Sequence, residues 1–317
     1  MRPHFLTHCT MDDYASALRT DAQAGLTRSP KSLSTRWCFD GRGRHLFEQA
    51  TAGHAYLLGT AESQLVNDTA SLILARSRPR TLVHIGLSGL MRASPLWNTD
   101  GPGPRAVAVC DTPHAPLTDA VTTLSRRLPH LEWYGIAADV PTKVATPPGP
   151  GPTLICCLAE TYASMRPTER QRFLKAIRRQ CLPGDSLLLT TTSAAADILT
   201  GLSANAADLV TEFNRNILYV MNHLLDTDCV DAAFDHVLTT SPGRAEFGLR
   251  AKTAIRLPLR MLGFHIDMSK DEHLATFGLG NTSQQTVTDE LHDAGFTVDS
   301  SHRSSHADVF LHLARVL

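Results

Sequence analysis

The chain has 317 residues, 43% of them hydrophobic and 19% charged, with a formal net charge of −1, enough for one large domain or two modest ones around a real core. No basic excess points to nucleic acid or an anionic membrane, and no stretch approaches the roughly 20 apolar residues that span a bilayer. The seven cysteines form no CxxC pair and are odd in number; they read as reduced thiols of a cytoplasmic protein rather than a disulfide or metal framework.

In chain order, residues 1–60 read as helices and loops. From about residue 60 to 190, short apolar runs alternate with helical patterns. The runs are "TLVHIG", "RAVAVC", "LEWYGIA", "TLICCL" and "DSLLLTT", the pattern of strands buried on both faces. Between them, Leu117, Val121, Leu124 and Leu128 share one helical face, as do Phe173, Leu174, Ile177 and Cys181. Beyond residue 195 one long helix is expected, with Leu209, Phe213, Ile217 and Met221 on its apolar side, followed by period-two runs such as "GFHIDM". The end reads as a helix stopped at Gly295, a strand, the link "SHRSSH" and a last strand, an antiparallel hairpin.

Strand–helix alternation predicts an α/β fold with a doubly wound parallel sheet, which binds ligands beyond the carboxyl ends of its strands. The core is expected over 61–194 and 282–317, and a second, smaller α+β lobe over 1–60 and 195–281. After the first core strand the chain reads Gly86, Leu87, Ser88, Gly89, Leu90, Met91, Arg92; this is neither a P-loop nor the G-x-G-x-x-G of a dehydrogenase, and no G-x-S-x-G elbow occurs elsewhere. An acid ends the second strand (Asp111) and another follows the third (Asp139). Fifteen histidines invite a metal reading, but the nearest grouping, His302, His306 and Asp308, lies in the hairpin link, so no metal is expected.

Three longer stretches carry a family resemblance. They are "GLTRSPKSLSTRWCFDGRGRHLFEQATAGHAYLLGTAE" (Gly25 to Glu62), "RPTERQRFLKAIRRQCLPGDSLLL" (Arg166 to Leu189) and "VTEFNRNILYVMNHLL" (Val210 to Leu225). Together with the strand order they resemble the histidine-specific Nα-methyltransferases of ergothioneine biosynthesis and relatives acting on other amino acids. The resemblance implies a class I S-adenosylmethionine (SAM) methyltransferase fold with a C-terminal antiparallel hairpin, and SAM as cofactor.

By that resemblance, Gly86, Ser88, Gly89 and Arg92 border the methionine part of SAM. Asp111 would take the ribose hydroxyls and Asp139 the adenine. The glycine turn departs from the family run: Ser88 stands at its second glycine, Arg92 near its lysine, and Leu90 and Met91 replace small or charged residues. After the fourth strand, Ala159 and Glu160 replace Gly and Ser, and Ser164 replaces the substrate-holding Asn. Glu160 and Tyr56 are the implied catalytic groups, able to take a proton from an amine. Glu160 reads equally as a surface acid paired with an arginine. Phe39 stands where the family has Tyr, and Ser203 near another substrate-facing Tyr. Phe277 and Leu279 stand at its imidazole-reading Glu-x-Ser. A Glu that binds imidazole is not replaced by Phe without losing that contact.

The expectation is therefore a SAM-dependent methyltransferase acting on a small amino-acid-derived amine other than histidine, in specialised metabolism. Phe39, Tyr56, Ser164, Ser203, Phe277 and Leu279 would bind the substrate. The competing expectation is a methyltransferase fold that no longer methylates and binds a small molecule, assists a partner enzyme or catalyses another reaction, since function lives in the site rather than the fold.

Overall fold

A run that is apolar except for His84 sets the first core strand. Leu82, Val83, His84 and Ile85 of Thr81–Ile85 are all buried, as a strand covered on both faces requires. The computed structural model describes residues 2–52, 56–99, 101–113, 115–140, 142–149, 151–158 and 160–317. The chain divides into two units, one of Met1–Met11, Leu57–Ala194 and Asn281–Leu317, the other of Asp12–Tyr56 and Ala195–Gly280.

The first unit is built on an eight-stranded sheet. Its strands are β1 (His4–Thr7), β2 (Thr81–Ile85), β3 (Ala106–Asp111), β4 (Glu132–Ala137), β5 (Thr153–Cys157), β6 (Ser186–Thr192), β7 (Phe296–Arg303) and β8 (Val309–Val316). The order across the sheet is β1-β4-β3-β2-β5-β6-β8-β7. β1 through β6 pair in parallel, and β8 runs antiparallel to both β6 and β7. The chain winds outward from β2 in one direction and then restarts at β5 in the other, so β2 and β5 flank the switch point where such sheets open a ligand crevice.

The helices of this unit are α1 (Leu57–Ser77), α2 (Ala115–Arg127), α3 (Glu160–Ser164), α4 (Pro167–Arg178) and α5 (Gln284–Asp293). α4 starts where Pro167 fixes the first helical position and Glu169 reaches back to accept the Arg166 backbone N–H at 2.7 Å. One core cluster joins Val83 and Ile85, Phe173 and Ile177 of α4, Leu187 and Leu189, and Val287 and Leu291 of α5. Beside it lies a buried polar network. Arg170 donates to both carboxylate oxygens of Glu290, at 2.7 to 3.1 Å, and the Tyr162 hydroxyl also donates to Glu290.

The second unit combines helices with a four-stranded sheet ordered Lys31–Ser32, His273–Gly280, Arg244–Ala251, Phe234–Ser241. A two-stranded ribbon, Ile255–Leu259 with Phe264–Met268, completes its strands. Asp40 caps the helix Gly41–Ala50: its Oδ1 accepts the Gly43 N–H at 2.7 Å and the Asn216 side-chain amide at 2.7 Å. Gly43 is required there by close approach, because a Cβ at this position would stand 1.9 Å from the Cys38 carbonyl oxygen.

Two expectations need correction, and one helix is added. Residues 1–60 do not all lie outside the sheet: His4–Thr7 is its edge strand, paired with β4 from His4↔Tyr134 to Thr7↔Ala137, and α1 begins at Leu57. Four mostly exposed residues carry too little periodicity to read as a strand. The long helix carrying Leu209, Phe213, Ile217 and Met221 is Ala207–Leu225, and a shorter helix not expected from the sequence, Ala195–Asn205, precedes it, separated at Ala206, whose backbone (φ −141°, ψ 41°) leaves the helical region. The hairpin link is shorter than "SHRSSH", because β7 continues to Arg303 past an irregularity between Val298 and Ser300. Among the described residues no helix is long and apolar enough to cross a membrane.

Candidate active site

The carboxyl ends of β2, β3 and β4 lie side by side, and backbone and carboxylate bonds tie them together. Ile85 pairs with Cys110 and Asp111 with Ala137. The Gly86 N–H donates to the Cys110 carbonyl at 2.8 Å, and the Ala138 N–H to the Asp111 carbonyl at 2.9 Å. Gly86 turns the chain at φ +81°, a conformation that strains any residue with a Cβ. Gly89 follows at φ +73° and opens the 3₁₀ turn Leu90–Leu96.

Asp111 is buried and anchors this rim. Its Oδ2 accepts the Leu87 N–H at 2.9 Å and its Oδ1 the Thr112 N–H at 2.7 Å. Asp139 lies two residues past Ala137, the register partner of Asp111, and is half-buried. Its carboxylate accepts the Thr142 hydroxyl, and its carbonyl accepts the Lys143 N–H at 2.8 Å. Ser88 is half-buried in the turn, Leu90 is buried beneath it, and Met91 faces outward.

Arg92 points its guanidinium into a layer of acids. Nε donates to Glu62 Oε2 of α1 at 2.6 Å, and Nη2 stands 3.8 Å from Glu160 Oε1. Glu62 is fully buried and also accepts the Thr190 hydroxyl of β6. Glu160, the first residue of α3, is buried as well, so the reading of a surface acid is corrected: it is an interior carboxylate in an ion pair. Ser164 closes the same short helix, with its hydroxyl 3.2 Å from the Thr161 carbonyl. Ala159 lies outside the described residues. Under the turn, His84 Nδ1 is 2.7 Å from the Gly86 carbonyl, and burial pushes its imidazole down to about 4.

In the second unit, Phe39, Phe277 and Tyr56 meet in one aromatic cluster with Phe47 and Phe213. Phe39 lies edge-on to Phe47, Phe213 and Phe277, at centroid distances of 5.2, 5.4 and 6.1 Å. Tyr56 is 6.2 Å from Phe47, and Phe277 is 5.4 Å from Phe47 and 5.5 Å from Phe213. Edge-to-face pairs at such separations stabilise one another beyond the area they bury. Phe277 and Leu279 are fully buried, whereas Phe39 is half-buried. Ser203 lies on the helix Ala195–Asn205, and among the described residues its buried hydroxyl has no hydrogen-bond partner.

Sequence reasoning passed over Glu62, His84, Thr190, Phe47 and Phe213 as site residues. The signal for Glu62 was present: an acid on the helical stripe Leu58, Ala61, Leu65, Val66 is out of place unless it has a partner.

A family model described as histidine-specific methyltransferase, SAM-dependent, matches residues 18–316. The chain belongs to this family. The methyltransferase is 30% identical over 289 residues to a histidine N-alpha-methyltransferase of Mycolicibacterium smegmatis, covering 90% of each chain. It is 29% identical over 301 residues to a protein of the same name from Mycobacterium tuberculosis, covering 93% of this chain and 94% of that one. Among solved structures, a SAM-dependent methyltransferase from Clostridium acetobutylicum aligns over 87% of this chain at 8% identity and a TM-score of 0.45, too distant to bear on its chemistry. The mostly parallel sheet ends in an antiparallel hairpin, the arrangement the family resemblance led one to expect. The protein is a SAM-dependent N-methyltransferase, and SAM is its cofactor.

Proposed function

We propose that this methyltransferase acts on a small amino-acid-derived amine whose side chain is aromatic or apolar, and not on histidine. The observation that carries the reading is Phe277. It stands where the family resemblance calls for an imidazole-binding carboxylate, and it is fully buried among Phe39, Phe47 and Phe213. A phenyl ring in a phenyl cluster offers imidazole no acceptor, and a lost polar contact of that kind discriminates strongly. Phe39, Tyr56, Ser164, Ser203 and Leu279 are the other proposed substrate residues.

The cofactor residues are proposed on the chemistry of the rim. A carboxylate has about four acceptor positions, so the bonds Asp111 makes to Leu87 and Thr112 leave it compatible with ribose hydroxyl donors. Asp139, on the neighbouring strand end, suits the adenine amine. Gly86, Ser88 and Gly89 give the close backbone approach that the methionine part needs, and Arg92 sits beside it. This donor set fits SAM. When bound, SAM supplies an electrophilic methyl group. What the chain itself must do is orient the amine and remove its proton, so that the nitrogen lone pair is exposed. Glu160 and Tyr56 are the groups we assign to that proton.

A methyl-transfer assay that follows release of S-adenosylhomocysteine (SAH) tests the substrate. Against histidine, phenylalanine, tyrosine and tryptophan, at least one aromatic amine is expected to exceed histidine by about tenfold or more in kcat/KM. Histidine as the best acceptor would overturn the reading of Phe277.

A further inference from the structure

The Gly86 turn is held from two sides. The end of β3 holds it through two bonds, Gly86 N–H to Cys110 O and Leu87 N–H to Asp111 Oδ2. The third bond comes from beneath: His84 Nδ1 lies 2.7 Å from the Gly86 carbonyl. A carbonyl oxygen only accepts, so Nδ1 carries the proton. Glycine places almost no restriction on its own φ, so these outside bonds fix the carbonyl's direction.

Burial keeps the His84 ring neutral at pH 7, with its pKa pushed down to about 4. With the proton on Nδ1, Nε2 is a bare acceptor, and among the described residues it has no hydrogen-bond partner. A buried acceptor left alone opposes folding, and an apolar side chain of similar size would not. The lone Nε2 therefore offsets part of what the Nδ1 bond contributes at this fully buried position, so stability alone does not account for a histidine there. We propose that His84 is a positioning residue for SAM binding, holding the Gly86 carbonyl so that the turn presents its backbone to the cofactor. The inference rests on reading the Gly86–Arg92 turn as the wall of the cofactor site.

Two substitutions separate this role from packing. His84→Leu removes both ring nitrogens. His84→Asn keeps an amide donor near the place of Nδ1 and removes Nε2. Calorimetry with SAH reads affinity, and thermal unfolding of each ligand-free variant reads the fold. His84→Leu is expected to bind SAH about five- to tenfold more weakly, the worth of one neutral hydrogen bond, while melting close to the wild type, because the lost Nδ1 bond is offset by removal of the lone Nε2. His84→Asn is expected to recover affinity to within about threefold of wild type. Wild-type affinity in His84→Leu, no recovery in His84→Asn, or weak binding that follows a lowered melting temperature would each overturn the role. Asp111→Ala, measured alongside, tells the two failures apart. If it weakens SAH binding while His84→Leu does not, only the role of His84 falls; if neither weakens it, the cofactor reading of the turn falls, and this role with it.

Discussion

Asp111 Oδ2 accepts the backbone N–H of Leu87 across 2.9 Å, so the acid that ends one strand holds the turn that ends its neighbour. Removing the carboxylate should therefore weaken cofactor binding twice over, through the ribose contact and through the turn. Hydrogen bonds to a charged group contribute roughly 1.5–3 kcal/mol. Asp111→Ala is expected to lower SAH affinity by about ten- to a hundredfold in calorimetry; wild-type binding would refute the assignment.

Acid should destabilise the protein before its carboxylates titrate. His84, His236 and His312 are each lowered to about 4, chiefly by burial. Unfolded histidine titrates near 6.5. Between those values the unfolded chain binds protons that the folded chain refuses, so stability is full above about pH 6.5 and falls as pH drops towards 4. Each histidine contributes up to about 1.4 kcal/mol per pH unit in that window. Urea denaturation at pH 7.5, 6.5 and 5.5 should show the drop only below the second point. His312→Gln, which removes the ring between Thr191 and Ser301, should make the acid limb shallower.

The Arg170–Glu290 pair should show the asymmetry of interior charges. Arg170 is buried, and Glu290 holds both it and the Tyr162 hydroxyl. Arg170→Met leaves that carboxylate with a neutral partner only and is expected to cost about 3 kcal/mol. The double variant Arg170→Met/Glu290→Met should cost clearly less than the sum of the two single changes, because contacting residues do not add. Additive losses in chemical denaturation would contradict the pairing.

Within the aromatic cluster, exposure separates core from platform. Phe277 is fully buried, so Phe277→Ala opens a cavity and should cost about 3–5 kcal/mol. Phe39 is only half-buried. Phe39→Leu should cost no more than about 1.5 kcal/mol while raising KM for the amine with little change in kcat. A Phe39→Leu variant that melts early but keeps its KM would mark Phe39 as packing alone.

The strands of the parallel sheet were legible because strands covered on both faces are almost wholly apolar, as Leu187 to Leu189 are and as Leu82 to Ile85 is apart from His84. Asp111 and Asp139 were legible for the same reason: an acid that stops such a run must sit at its rim. The edge strand His4–Thr7 was not, since its pairing to β4 leaves no periodic trace in four residues. Nor was the break at Ala206, where no glycine or proline marks the change in backbone direction. Glu62 escaped because its partners, Arg92 and Thr190, are 30 and 128 residues away in sequence. Phe47 and Phe213 were seen as helix-face residues, but nothing local announced that Phe39 and Phe277 would meet them.

All seven cysteines are buried free thiols. Desolvation holds Cys38, Cys110, Cys156, Cys157, Cys181 and Cys229 in the protonated form, and it is the thiolate that alkylating reagents attack. Label uptake in the native protein therefore clocks transient opening rather than surface chemistry. Cys38 and Cys229 lie in the second unit and the other five in the first. A single alkylation time course read by peptide mass thus yields a separate breathing rate for each half of the enzyme, with no engineered reporter.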